Sequence, residues 1–244
     1  MSEVTSGRAP GDTVSYHEFF LKFGASCRRK HLSSGRLQSW VTSIRRRLAG
    51  KPSKPQVALR TYPLPSRSAL PLKFIRLDPW EMDYLFSIAR LARVGILETG
   101  RFNGGSVFLM AWANRNVPIW SIDIAPRNDE LLRQYFQSHS IGDNVRLIVG
   151  DSQHQRDPSV TGFDVLFIDG DHSYQGCWND LENWWPLLAP GGHVVLHDSY
   201  HGCEVQQAVI DFIQSHPSQI IQSPFINSLH WHNPCGSLAH FRKL

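Results

Sequence analysis

Cysteine is scarce and scattered in this chain of 244 residues. The four cysteines, Cys27, Cys177, Cys203 and Cys235, form no Cys-x-x-Cys pair. This usage argues against a disulfide framework or a cysteine zinc site, and it is typical of reduced thiols in a cytoplasmic protein. We therefore expect a cytoplasmic protein in which the thiols are small packing residues.

Long hydrophobic runs are also missing. No apolar segment approaches the roughly 20 residues that a membrane-spanning helix needs, and residues 1–15 lack the apolar centre of a secretory signal. Hydrophobic residues make up 41% of the chain and charged residues 19%, which is a balance typical of globular proteins. These absences indicate a globular chain without a bilayer anchor.

Acidic side chains are almost missing from the first third of the chain. Residues 1–75 hold 14 Lys/Arg against 3 Asp/Glu, whereas residues 76–244 hold 11 against 18. The shift falls in a Pro- and Ser-rich stretch and predicts a boundary near residue 75. We expect residues 1–75 to form a basic helical extension and linker, acting as a lid or in a homo-oligomer contact. Contact of its arginines with a membrane surface is the weaker alternative.

A regular alternation of strand and helix patterns begins near residue 76. The stretch "DPWE" predicts a helix start at Asp78, and its helix should place Leu85, Ile88 and Leu91 on one apolar side. This alternation predicts an α/β fold with a Rossmann-like, doubly wound, mostly parallel sheet. The strands are predicted at 94–98, 119–123, 145–151, 163–169 and 193–198, and three of the helices near 128–139, 174–188 and 204–215.

Every predicted strand ends in a carboxylate. The five are Glu98, Asp123, Asp151, Asp169 and Asp198. Ligands of open parallel sheets bind beyond the carboxyl ends of the strands, so we expect these side chains to share one site.

A glycine-rich turn, "ETGRFNGGS" at 98–106, joins the first predicted strand to the next helix. Its spacing matches neither the dinucleotide fingerprint nor a P-loop. Such a turn can bring backbone N–H groups to a bound carboxylate, although an unliganded tight turn is the alternative. Asp123 is placed to accept hydrogen bonds from ribose hydroxyls, and Asp151 with Ser152 to meet an adenine edge.

Together these motifs resemble the class I S-adenosylmethionine (SAM)-dependent methyltransferases, in the branch of small-molecule and sugar O-methyltransferases. The resemblance covers residues 76–244 and rests on "LETGRFNGGS", "SID", "GD", "FDVLFIDGDHSYQG" and "LLAPGGHVVLHDS". It implies a seven-stranded sheet with an antiparallel last strand, and methyl transfer from SAM to a hydroxyl of a sugar or secondary metabolite. The cofactor contacts that it implies are Glu98, Gly100, Asn103, Gly104, Ser106, Asp123, Asp151, Ser152 and Asp169.

Metal-dependent relatives hold a cation at the ends of the fourth and fifth strands, where Asp169 and Asp198 match. The resemblance thus implies Mg²⁺ or a similar divalent cation at these two aspartates. His197 is a candidate for a further ligand, and a structural hydrogen bond is the alternative role for it. Many relatives have a carboxylate or Asn beside the fifth-strand Asp, whereas this chain has His197 and Ser199. We expect His172 to lie beside this cation as the general base. The alternative is a metal-free reaction in which His172 or Asp171 is the general base. A module that keeps the fold without catalysis is a further alternative.

Nucleic acid is not expected as a partner. The predicted catalytic part is acidic and lacks interleaved basic and aromatic residues. The Asp/Asn-Pro-Pro-aromatic motif of base-methylating relatives is also absent, since the chain reads "IDGD" at 168–171.

Overall fold

The computed structural model describes residues 74–200, 202–222 and 237–244. The predicted basic extension, apart from its last two residues, lies outside this part of the chain. Five helices are described: α1 Pro79–Ala89, α2 Gly105–Ala113, α3 Asp129–Ser138, α4 Tyr174–Trp184 and α5 Glu204–Ser215. The seven strands are β1 Ile96–Thr99, β2 Ile119–Asp123, β3 Val145–Val149, β4 Phe163–Ile168, β5 Leu188–Leu196, β6 Ile220–Gln222 and β7 Ala239–Lys243.

The seven strands form one sheet in the order β3-β2-β1-β4-β5-β7-β6. The strands from β1 to β5 are parallel, and β7 runs antiparallel to both of its neighbours, β5 and β6. The chain winds outward from β1 to one edge and then from β4 toward the other. The predicted Rossmann-like sheet with a reversed last strand is confirmed.

Helices cover both faces of this sheet because successive strand residues point to opposite sides. In β1, Ile96 packs into the core beneath α1, α2 and α3, whereas Leu97 packs into the core beneath α4 and α5. The same alternation separates Val165 from Leu166 in β4. Both faces of the central strands are therefore buried, as their continuous apolar sequences predict.

Two predicted helix limits are wrong. The first helix ends at Ala89, so Leu91 lies beyond it and is 55% exposed, not on the apolar side. The helix predicted over 174–188 ends at Trp184, and residues Trp185–Leu187, which contain a proline, form a 3₁₀ turn. A proline lacks the N–H that would continue the α-helical ladder. No helix in the described ranges is long and apolar enough to cross a membrane.

The segment 74–77, which precedes α1, packs tightly against the start of α2. Phe74, Ile75 and Leu77 are almost fully buried. A Cβ added to Gly105, the first residue of α2, would lie 2.5 Å from Cα of Ile75 and 2.6 Å from the carbonyl oxygen of Phe74. Only glycine lets the two backbones approach this closely.

We predict that Gly105→Ala lowers the free energy of unfolding by roughly 1 to 3 kcal/mol, because backbone atoms of the 74–77 segment must move. Gly150→Ala is the matched control, since a Cβ there meets nothing within 4 Å, and its change should stay within about 0.5 kcal/mol. Chemical denaturation of both variants measures the difference. Equal stabilities would contradict the close approach.

Candidate functional site

The carboxyl ends of the parallel strands open into one cavity of about 480 Å³. Most predicted site residues meet in its wall, although they come from five separate strand ends. Glu98 and Gly104 are not among the lining residues. The predicted residues that do line it are Gly100, Asn103, Ser106, Asp123, Asp151, Ser152, Asp169, Asp171, His172, His197 and Asp198.

Gly100 sets the distance between the β1 and β4 ends of the cavity. Its φ is +86°, and an added Cβ would lie 2.2 Å from the carbonyl oxygen of Asp169. Gly104 also has a left-handed backbone, with φ +85°, and an added Cβ would meet Leu132 at 2.5 Å. Both positions therefore favour glycine: at Gly100 the loop passes directly against the end of β4, and at Gly104 it passes against α3.

Asp123, at the end of β2, holds the glycine loop through its carboxylate. Its Oδ2 accepts hydrogen bonds from the backbone N–H groups of Arg101 at 2.8 Å and Phe102 at 2.7 Å. Its Oδ1 accepts one from Ala125 N at 2.7 Å. The carboxylate also lines the cavity, and its four lone-pair sites leave room for a ligand hydroxyl.

Arg101 is a buried structural cation that the sequence interpretation missed. Its guanidinium forms a paired contact with Asp129, at 2.8 Å and 2.9 Å, and donates to the carbonyl oxygens of Ser121 and Ile148. These bonds join the glycine loop to α3 and to strands β2 and β3. No local spacing links Arg101 to Asp129, so only the fold reveals the pair.

Glu98 is fully buried behind the cavity wall. Its two carboxylate oxygens accept hydrogen bonds from the hydroxyls of Ser106 and Ser121. Burial raises the pKa of Glu98 to about 7, although the two serine hydroxyls act in the opposite direction. The side chain thus supports Ser106, which lines the cavity, from behind.

The loop after β3 is held by its own side chains and by α4. Oδ1 of Asp151 accepts a hydrogen bond from Gln153 N at 3.0 Å, and Oδ2 lies 2.9 Å from Nδ1 of His154. The hydrogen bond with His154 lowers the pKa of Asp151. The carbonyl oxygen of Ser152 accepts a bond from the indole N–H of Trp184 at 2.9 Å. Asp151 and Ser152 are therefore fixed at the cavity edge.

Two aspartates and two histidines meet at the ends of β4 and β5. Nδ1 of the buried His197 lies 3.0 Å from Oδ1 of Asp169 and 3.4 Å from Oδ2 of Asp198. The imidazole of His172 lies 3.4 Å from each of the same two oxygens, and 49% of its side chain is exposed. Both imidazoles line the cavity, but only that of His172 is open to solvent.

His197 is a buried imidazolium held from both sides. Burial opposes its charge, but Asp169, Asp198 and Glu81 together raise the pKa of His197 well above its ordinary value. Burial opposes the ionisation of Asp169, but the charge of His197 and the hydrogen bonds of His172 and His197 hold the pKa of Asp169 below its ordinary value. Nε2 of His197 lies 3.1 Å from Oε2 of Glu81.

Glu81 is the second functional neighbour that the sequence interpretation missed. It is the last residue of the "DPWE" helix start, and it completes the capping box of α1 by accepting a bond from Asp78 N at 2.7 Å. Its other oxygen accepts bonds from the backbone N–H and hydroxyl of Ser237. Burial opposes ionisation of Glu81, but the hydrogen bond and charge of His197 lower its pKa to about 2.

Asp171 lies at the amino end of α4. Its Oδ1 accepts a hydrogen bond from Ser173 N at 2.9 Å, which lowers the pKa of Asp171. Ser173 is the N-cap residue, and its hydroxyl accepts a bond from Gly176 N. Asp171 thus stabilises the amino end of α4 by accepting the bond from Ser173 N. The cap itself is Ser173, so the imidazole of His172 is not used for capping.

Three ligand atoms, one each from Asp169, His172 and Asp198, lie within 4.8 Å of one another. Two carboxylate oxygens and one imidazole nitrogen form a donor set that suits a divalent cation. His197 was predicted as a ligand, and both of its nitrogens face carboxylates. His197 contributes none of the three atoms that lie close enough to share an ion, and its role as a ligand stays a prediction.

We predict that Glu98 makes stability depend on pH. Burial raises the pKa of Glu98 in the folded state from the ordinary 4.5 to about 7, so the folded chain loses stability as pH rises from 4.5 through 7. Glu98→Gln cannot ionise, and its stability relative to the native chain should increase between pH 5 and 8 by on the order of 3 kcal/mol. Denaturation at both pH values, with the exposed Glu182→Gln as control, measures this. A difference that does not vary with pH would contradict it.

Comparisons with known proteins agree with this architecture. Residues 97–199 match a family model described as a methyltransferase domain. An uncharacterized protein of Acanthamoeba polyphaga mimivirus is 33% identical over 110 residues, which cover 42% of this chain. The matching part spans 50% of the viral protein.

Solved structures share the fold at low sequence identity. The O-methyltransferase NovP is 16% identical, with a TM-score of 0.54 over 86% of this chain and 98% of that chain. A SAM-dependent O-methyltransferase of Thermotoga maritima is 16% identical, with a TM-score of 0.52 over 68% of this chain and 65% of that chain. The resemblance inferred from the sequence is therefore confirmed for the fold: residues 97–199 match a methyltransferase-domain model, and the chain shares the fold of SAM-dependent O-methyltransferases.

Proposed function

We propose that this protein transfers a methyl group from SAM to a hydroxyl oxygen of a small-molecule acceptor, namely a sugar or a secondary metabolite. The observation on which this rests is one cavity that joins the glycine loop and Asp123 to Asp169, His172 and Asp198. We call the glycine loop with Asp123, Asp151 and Ser152 the donor half of the cavity, and Asp169, His172 and Asp198 its acid–base half. SAM supplies an electrophilic methyl group on sulfur when it is bound.

The residues of the donor half fit SAM. The glycine loop lines the cavity over residues 100–103, so its backbone atoms can contact a ligand. Asp123 retains acceptor capacity for ribose hydroxyls beyond its three backbone contacts. Asp151 and Ser152 lie at the edge of the cavity, where the adenine is proposed to bind. The many carboxylates favour the sulfonium and the ammonium group of SAM.

The acid–base half is suited to accepting a proton. The exposed imidazole of His172 lies between two carboxylates that stabilise its protonated form, and its hydrogen bond with Asp169 raises the pKa of His172. A base near neutral pKa is effective for deprotonating a hydroxyl. The buried His197 compensates the charge of Asp169 and fixes its position.

A divalent cation is proposed at Asp169 and Asp198, with His172 as the third donor. The three atoms lie close enough to coordinate one ion. Such an ion would lower the pKa of an acceptor hydroxyl and position it. The metal-free alternative has its own support, because His172 and His197 already place positive charge between the two carboxylates. His172 would then act as the base without a metal.

We expect Asp123→Ala to weaken SAM binding by roughly 1.5 to 3 kcal/mol, because hydrogen bonds to a charged acceptor are lost. Isothermal titration measures the affinity. Asp157→Ala is the matched control, since Asp157 accepts a similar backbone bond from Ser159 N at 2.8 Å but does not line the cavity. Equal affinities of the two variants would contradict the assignment of Asp123 to the ribose.

The reaction itself is tested by incubating the full chain with SAM and a panel of hydroxylated acceptors. A one-methyl mass gain on an acceptor is expected, together with S-adenosylhomocysteine. Excess EDTA should abolish turnover, and Mg²⁺ or Mn²⁺ should restore it, whereas SAM binding should persist. Full turnover in EDTA would contradict the cation and leave His172 as the base.

Variants in the donor set separate the two mechanisms. Asp198→Asn and His172→Ala should both raise the Mg²⁺ concentration needed for half-maximal turnover if the two residues coordinate the ion. His216→Ala, at the carboxyl end of α5, is the histidine control. SAM binding without methyl transfer to any acceptor would instead favour the inactive-module alternative.

A further inference from the structure

The charged side chains in the cavity wall are mostly acidic. SAM carries both positive and negative groups, so its carboxylate needs a positively charged partner in this wall. Five aspartates line the cavity, two of them close to the imidazoles of His172 and His197. These carboxylates favour the cationic groups of SAM but would repel its carboxylate. A cation is therefore needed where that carboxylate binds.

Two guanidinium groups lie among the described residues that line the cavity, those of Arg76 and Arg101. Arg101 is buried and committed to Asp129 and to backbone carbonyl groups. Arg76 is exposed, and within the described ranges no carboxylate lies at ion-pair distance from it. Arg76 is thus the guanidinium that can pair with a ligand.

The position of Arg76 is fixed by its neighbours in the chain. Ile75 and Leu77 are buried on either side of it, and the backbone at Ile75 contacts Gly105 at the start of α2. The guanidinium carbon of Arg76 lies 5.6 Å from the centre of the Phe102 ring in the glycine loop. A cation–π contact at this distance restrains the guanidinium, and its N–H groups can still donate to a carboxylate.

From this geometry we infer that Arg76 binds the carboxylate of the methionine part of SAM, an inference that rests on the proposed function. Gly105 and Ser106, at the amino end of α2, line the same cavity. The positive end of the helix dipole adds to the attraction for a carboxylate there. Arg76 is thus a positioning residue for the donor, supplied by the segment that precedes the first helix of the domain.

The test compares two ligands that differ only in the carboxylate, SAM and decarboxylated SAM. Arg76→Gln should weaken binding of SAM by about tenfold or more, because a charged hydrogen-bonded pair is lost. Its affinity for decarboxylated SAM should stay within about twofold of that of the native chain. Arg76→Lys should recover part of the loss, since it keeps the charge without the planar fork.

Arg127→Gln is the matched control. The guanidinium carbon of Arg127 lies 4.6 Å from the centre of the same Phe102 ring, but the residue does not line the cavity. It should change neither affinity. Equal losses for both ligands in Arg76→Gln, or no loss for SAM, would overturn the inference while leaving SAM as the donor. A native chain that binds neither ligand would overturn the proposed function as well.

Discussion

The arrangement of the site depends on one buried charge, the imidazolium of His197. It lies between Glu81 on α1 and the two aspartates that end β4 and β5. Without that charge, carboxylates would face one another with little water to screen them, and each would raise the pKa of the others. Removing one partner of a buried charged group costs several kcal/mol. The network therefore holds the first helix to the carboxyl edge of the sheet by electrostatics as well as by packing.

The network of His197 and its carboxylates also connects the site to α1 and to the segment before β7, neither of which is one of the five strand ends. Glu81 also accepts both bonds from Ser237, which lies just before β7. One carboxylate thus joins the start of α1, the end of β5 and the entry to β7. Glu81 therefore has two roles: it caps α1, and its charge compensates that of His197.

The fold was predictable because its signals are local. Continuous apolar strands, the helix start at Asp78 and the carboxylates at five strand ends each lie within a short window of sequence. The Glu81–His197 and Arg101–Asp129 pairs were not predictable, because their members are 116 and 28 residues apart. The burial of Glu98 follows from strand alternation, since Ile96 and Glu98 share a face and Ile96 packs beneath the helices α1 to α3. The sequence interpretation considered only that Glu98 lies at a strand end.

The contact between Gly100 and the backbone of Asp169 has a consequence for how such a protein can diverge. The two residues belong to the donor half and the acid–base half of the cavity, and an added methyl group at Gly100 would displace Asp169. A change in either loop therefore alters both halves, so mutations there should show strong epistasis. On the proposed function, new acceptors would be acquired more readily through residues outside these two strand tips, while the spacing between methyl donor and hydroxyl is inherited unchanged.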